Sequence, residues 1–278
     1  MSLLSLKGNE RQKTVVVTVT AALFLLSVLL GGWLLSDDRM ATNLALRNLG
    51  PSLAHPFGTD WLGRDMFTRT LKGLTLSMGV GLLAATASVT IALILGMMAA
   101  TMGKVVDSII SWLVDLFLSV PHLVILIIIA FTMGGGVKGV LIGLALTHWP
   151  SLTRVIRAEV LQLRSAEYVQ ISRRLGKSRW FIARKHILPH LVPQFLVGLF
   201  LLFPHAILHE AAVTFLGMGL SPHQPAIGII LSESMRYLST GMWWLAFFPG
   251  VCLLLVVRTF DMIGERLRIL FDPHRAHE

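Results

Sequence analysis

Charge is scarce in this chain. Charged residues make up 14% of its 278 positions, where a soluble domain carries about 25%. Acids are scarcer still, 15 Asp and Glu against 24 Lys and Arg. Apolar residues make up 54%, which excludes an ordinary water-soluble domain and points to a bundle with its core in a bilayer. Cysteine is nearly absent: Cys252 stands alone in an apolar run, so no intrachain disulfide forms and the thiol reads as packing. No paired Cys/His spacing suggests a zinc ribbon. Gly176-Lys177-Ser178 looks like the end of a P-loop, but Ile171 stands where the first glycine is needed and no buried strand precedes it. The chain should therefore bind no ATP and no other cofactor itself. His209-Glu210 opens a zinc-protease pattern, yet Val213 occupies the second histidine position, which argues against a membrane enzyme. There is no clear internal repeat and little intramembrane charge, so a secondary transporter is weakly supported.

What is present is a series of long apolar segments. A bilayer core takes about 20 apolar residues per helix, and residues 14–35, 74–102, 106–131, 137–152, 191–217 and 241–263 each suit one span. These must be helical, because unpaired backbone groups are not tolerated in hydrocarbon. The expectation is an all-α polytopic membrane protein with six transmembrane helices, a kink at Pro121, and a fourth helix able to extend toward Leu163. The transmembrane domain is residues 14–263, between an N-terminal tail at 1–13 and a C-terminal tail at 264–278. The first segment is too long for a signal-peptide core and lacks a small-residue cleavage site, so it reads as an uncleaved anchor.

Charge sets the expected orientation. The N-terminal tail (Lys7, Arg11, Lys13), the loop at 164–190 and the C-terminal tail (Arg266, Arg268, Arg275) share one side and gather most of the basic residues. On the opposite side, the loop at 36–72 balances its basic residues with Asp37, Asp38, Asp60 and Asp65. The positive-inside rule places both termini and the basic loop in the cytoplasm. The net charge of +9 is mostly this topology signal; membrane lipid is a partner and nucleic acid is not.

Residues 167–189 are the most distinctive stretch. Arg173, Arg174, Lys177, Arg179, Arg184 and Lys185 make it too basic to cross a membrane, although apolar segments flank it. Val169, Ile171 and Leu175 are spaced along a first short helix, Gly176 bends the chain, and Trp180, Phe181 and Ile187 lie along a second that stops at Pro189. A bland reading, a basic loop that only fixes topology, stands beside a functional one. The order Glu167, Gly176, Ile187-Leu188-Pro189 resembles the coupling loop of ABC-importer permeases, with Tyr168-Val169 where many members carry two alanines. Three further stretches are similar to the dipeptide, oligopeptide and nickel branch of that family: HPFGTDWLGRD at 55–65, FLGMG at 215–219 followed by Ser221 and Pro222, and FDP at 271–273.

The resemblance implies a type I ABC-importer permease fold and the role of the second of two non-identical permeases in a bacterial inner membrane. It implies as partners another permease, two ATP-binding subunits that hold ATP and Mg, and a periplasmic or lipoprotein substrate-binding protein. Glu167, Arg173, Arg174, Gly176 and Pro189 would then belong to the loop that docks on the ATPase. In the motif at 55–65, Gly58 and Gly63 permit tight turns, while Asp60, Arg64 and Asp65 can cross-link the loop by charge-assisted hydrogen bonds. That motif reads either as a periplasmic docking surface or as a structural clamp.

Cargo points to His205, His209 and Glu210. His205 and His209 lie four residues apart on one helical face, and Glu210 about 100° around it. Neutral imidazoles suit nickel, cobalt, copper or zinc, so His205 and His209 are candidate metal contacts on a substrate path. The alternative is that they and Glu210 bond neighbouring helices. His148, His186, His190 and His223 are isolated in sequence and receive no ligand role. Nickel-type relatives are similar in carrying a histidine pair at these positions, which favours nickel or another transition-metal ion or chelate as cargo, with dipeptide or oligopeptide import as the alternative.

Overall fold

The computed structural model describes residues 10–271; Lys7, Asp272, Pro273 and Arg275, assigned from the sequence to the two tails, lie outside the described residues. The chain is all-helical there, with no strand among the described residues and one isolated bridge between Thr59 and Asp65. In order, the helices are α1 (Glu10–Leu34), α2 (Met66–Thr101), α3 (Lys104–Ser119), α4 (His122–Thr132), α5 (Gly136–Thr147) and α6 (Trp149–Ser165). There follow α7 (Glu167–Arg174), α8 (Arg179–Ile182), a π-helical turn (Ala183–Ile187), α9 (Leu188–Phe215), α10 (Ile227–Met235) and α11 (Trp244–Phe271).

Among the described residues, four stretches are long and apolar enough to cross a bilayer: Val15–Leu34, Met66–Thr101, Trp180–Phe215 and Trp244–Arg268. The bent pair α3 and α4 raises this to five if counted as one span. The six spans expected from apolar length are therefore not confirmed among the described residues. At Pro121 the chain does not kink but turns through 97° between α3 and α4. Proline disfavours helical geometry at the residue before it, and Val120 (φ −104°, ψ 141°) and Pro121 (φ −53°, ψ 123°) are both extended.

The expected fourth span divides as well. α5 ends at Thr147, α6 starts at Trp149, and neither reaches spanning length. Pro150 has no N–H, so it cannot serve the carbonyl of Leu146. The indole Nε1 of Trp149 donates to that carbonyl instead, at 2.9 Å. Ser88 of α2 donates across to the carbonyls of Leu144 and Ala145, at 3.2 and 3.1 Å. At Gly139 of α5, an added Cβ would come within 2.4 Å of the Ala130 carbonyl of α4. That close approach packs α4 on α5.

α2 runs through the centre. Leu74, Met78 and Ala85 join a cluster with α1, α9 and α11; Val80 and Ala84 join one with α4 and α5; Ala92, Ala99 and Ala100 join one with α3 and α6. α10 buries Ile227 and Ile230 and packs on α9, α11 and α2. Between α3 and α6, Arg157 grips Asp107 with Nε at 2.5 Å and Nη2 at 2.6 Å, and Arg154 pairs with Asp115.

α2 begins at Met66, so residues 66–72, assigned from the sequence to the preceding loop, are its opening turns. Asp65 caps it, accepting from the Thr68 amide at 2.9 Å and the Thr68 hydroxyl at 2.7 Å. Arg69 enters the packed bundle because its charge is met. Its Nη1 donates to Asp60 Oδ2 at 2.8 Å and its Nη2 to Glu233 Oε2 of α10 at 2.8 Å. Asp60 is wholly buried. It also accepts from the amides of Leu62 and Arg64, at 2.9 and 3.0 Å, and from Arg64 Nε at 2.6 Å. Gly63, at φ +74°, lies so near the Asn43 carbonyl that an added Cβ would sit 1.8 Å from it.

Breaking a buried pair by removing one partner costs about 3–5 kcal/mol. Asp60→Ala, which takes from Arg69 its fully buried counter-charge and leaves it Glu233 alone, should lower thermal stability in detergent by that order. Lys72→Ala, which frees the exposed Asp37 from its pair, should cost about 0–1 kcal/mol. Equal melting temperatures for the two variants would deny the buried network its structural role.

Candidate functional site

The basic loop folds as an elbow resting on the bundle. α7 starts at Glu167, whose carboxylate suits the positive end of the helix. It ends in a left-handed glycine cap: Gly176 has φ +74°, and the Lys177 amide returns to the Ser172 carbonyl at 3.2 Å. Val169, Ile182 and Ile187 are buried in the cluster formed with α2, α3 and α6 and anchor the loop. Ser172 Oγ and His186 Nε2, 3.0 Å apart, tie α7 to the π turn.

Pro189 does not stop a helix, contrary to the sequence expectation. It lies in the first turn of α9, and helical structure runs from Arg179 through the π turn to Phe215. A proline in a first turn forfeits no hydrogen bond, and the π turn is closed by the Leu188 amide on the Ala183 carbonyl.

The outer face of the elbow joins charge and apolar surface. Arg173 and Arg174 are exposed, and so are Ile171 (57%), Leu175 (72%) and Trp180 (75%). Of the three apolar residues spaced along α7 and its cap, only Val169 turns inward. Beside the elbow lies a cavity of about 530 Å³ lined by Arg164, Gln170, Arg173, Arg174 and Ile187. Exposed apolar side chains set among fixed cations make a surface suited to a protein partner.

The 55–65 segment presents little of its charge outward. Besides the buried Asp60, Asp65 is 3% exposed, and its Oδ1 lies 2.9 Å from His55 Nδ1. Gly58, like Gly63, takes positive φ. This is the geometry of a clamp holding the α1–α2 loop to α2 and α10.

Within the bundle, the residues first singled out separate. His205 is exposed, while His209 is half-buried. Glu210 is fully buried and turned to its own helix, where Thr214 Oγ1 donates to its Oε1 at 2.9 Å. The His205 ring is not grouped with His209; its contribution is a backbone carbonyl, which accepts from His209 Nδ1 at 2.7 Å. The rings that gather with His209 are His122 and His148, and one nitrogen from each of the three lies within 4.8 Å of the others. Ring centroids are 4.4 Å apart for His122 and His148, 4.5 Å for His122 and His209, and 5.2 Å for His148 and His209. Sequence spacing gave no reason to join them, since they come from α4, the α5–α6 junction and α9. The available signal was a histidine beside proline in an apolar run: Pro121-His122, His148-Trp149-Pro150, and His209 one turn beyond Pro204-His205.

Comparison with known proteins bears on the whole chain. Residues 92–269 match the family model described as binding-protein-dependent transport system inner membrane component. The dipeptide transport system permease protein DppC of Bacillus subtilis is 34% identical over 90% of this chain and 78% of its own length. The probable D,D-dipeptide transport system permease protein DdpC of Escherichia coli is 34% identical over 96% of this chain and 89% of its own. The nickel transport system permease protein NikC of Escherichia coli is 30% identical over 97% of both. With several apolar helices and a family match over residues 92–269, the chain belongs to the binding-protein-dependent inner-membrane transport permeases, in the branch that includes peptide and nickel permeases.

Proposed function

We propose that this chain is a permease subunit of an ATP-driven, binding-protein-dependent importer whose cargo is a dipeptide or short peptide. The observation that carries the cargo is the set of peptide permeases, among them the two dipeptide permeases at 34% identity across nine-tenths or more of the chain. The nickel reading, drawn from His205 and His209 as a pair, has less support. NikC is similar at 30%, and the His205 ring stands apart from His209.

The chain pairs with a second permease, and two separate subunits hold ATP and Mg. Both termini and the elbow face the cytoplasm, in keeping with the basic residues gathered there. A substrate-binding protein delivers cargo to the opposite face. Closure of the ATPase pair moves the elbow at 167–189, which is anchored by Val169, Ile182 and Ile187 and continuous with α9. The motion passes to α6 and α9 and switches the cavity between its two openings.

Two measurements test this. Cells lacking the chain should lose dipeptide uptake and regain it with the chain restored; if nickel uptake alone followed the chain, the peptide reading would fall. Gly176→Pro cannot keep φ near +74°, because proline holds φ near about −65°. That variant, or charge reversal at Arg173 and Arg174, should leave the chain in the membrane and ATP hydrolysis running while uptake falls at least about tenfold. Normal coupled uptake in both would remove the elbow from the coupling path.

A further inference from the structure

The geometry points to a binding site for one divalent transition-metal ion, of the nickel or zinc class, formed by His122, His148 and His209. Three observations carry it. First, the rings converge from three separate elements, with one nitrogen from each within 4.8 Å of the others. A metal–nitrogen bond of about 2.1 Å puts two ligand nitrogens at most about 4.2 Å apart, so a small closing of the rings suffices.

Second, two of the rings are held by a hydrogen bond at Nδ1. His148 Nδ1 lies 3.0 Å from the Leu144 carbonyl and His209 Nδ1 lies 2.7 Å from the His205 carbonyl. A carbonyl only accepts, so each Nδ1 carries the hydrogen and each Nε2 keeps its lone pair. This is the arrangement that holds metal-ligating histidines in place. His148 Nε2 is 3.4 Å from His209 Nδ1, too long to take that hydrogen from the His205 carbonyl.

Third, the ring nitrogens of His122 are buried and without a partner: neither Nδ1 nor Nε2 makes a hydrogen bond among the described residues. Leaving such a group unsatisfied is destabilising, a penalty that coordination removes.

The donor set defines the ion. Three neutral imidazoles without a carboxylate suit nickel, zinc, cobalt or copper and do not suit magnesium or calcium, which need oxygen. Glu210 adds no oxygen to the set, because the gathered ligand atoms are those of the three histidines alone. With three protein ligands, one or more coordination positions remain for water or for a ligand carried by the ion. The half-burial of His122 and His209 leaves a way in. The ion would join α4, the α5–α6 junction and α9, the three places where spanning structure is interrupted or bears an internal proline.

The test uses the full chain, metal-depleted, in lipid nanodiscs and titrated with Ni²⁺ or Zn²⁺ alone. One ion should bind per chain and raise the melting temperature; Mg²⁺ should do neither. Loss of a partner outside the ligand set already weakens metal sites about 10–100-fold, so His122→Ala, His148→Ala and His209→Ala should each weaken binding at least that far. His122→Phe and His209→Gln, which keep side-chain bulk, guard against a packing defect and should do the same. His205→Ala keeps the backbone carbonyl and should bind as the unaltered chain does. No saturable ion, or equal loss from His205→Ala, would overturn the site. The inference does not rest on the peptide reading. A chain blind to metal but active in dipeptide uptake would sink only the site, and one that binds the ion without supporting dipeptide uptake would sink only the cargo assignment.

Discussion

A backbone carbonyl or amide in hydrocarbon has to find its partner within the protein. This chain interrupts its membrane helices repeatedly, and its architecture follows from how each interruption is repaired. At Pro150 the Leu146 carbonyl is taken by the Trp149 indole, and Ser88 reaches from α2 to the carbonyls of Leu144 and Ala145. At Pro189 the π turn lets α9 start without losing a bond. At Pro121 two extended residues turn the chain through 97°. Some repairs are local, by the Trp149 indole and the π turn, and one is made across the bundle by Ser88 of α2.

The same breaks aim side chains that a straight helix would have directed elsewhere. His122 opens α4, His148 sits in the gap between α5 and α6, and His209 follows Pro204 in α9. Their rings meet although the residues are far apart in sequence. The elbow at 167–189 works on the same terms. Its glycine cap and π turn keep it connected to α6 and α9 while its cations and exposed apolar side chains face outward.

Polar chemistry at the start of α2 complements this. A helix that carries Arg69 into a packed bundle needs a counter-charge in place, and Asp60 and Glu233 supply it from two sides. The segment at 55–65 is thereby spent largely on holding the α1–α2 loop to α2 and α10. Its signature pattern of glycine, acid and arginine has a structural cause independent of any docking partner.

Composition and apolar length determined that this is an all-helical membrane protein, and they located α1, α2, α9 and α11 closely. The Glu–Gly–Pro order of the basic loop and the 55–65 motif were enough to indicate the transport-permease family. These features are local: apolar length, charge and turn residues act within a few positions of themselves. The number and shape of the spans were not legible. Whether a proline kinks, ends or merely begins a helix depends on how the helices around it pack, and that packing is set by residues far along the chain. For the same reason helical spacing suggested His205 with His209, whereas the fold joined His209 to His122 and His148. An i,i+4 rule describes one helix, but a three-element cluster is set by how the helices pack.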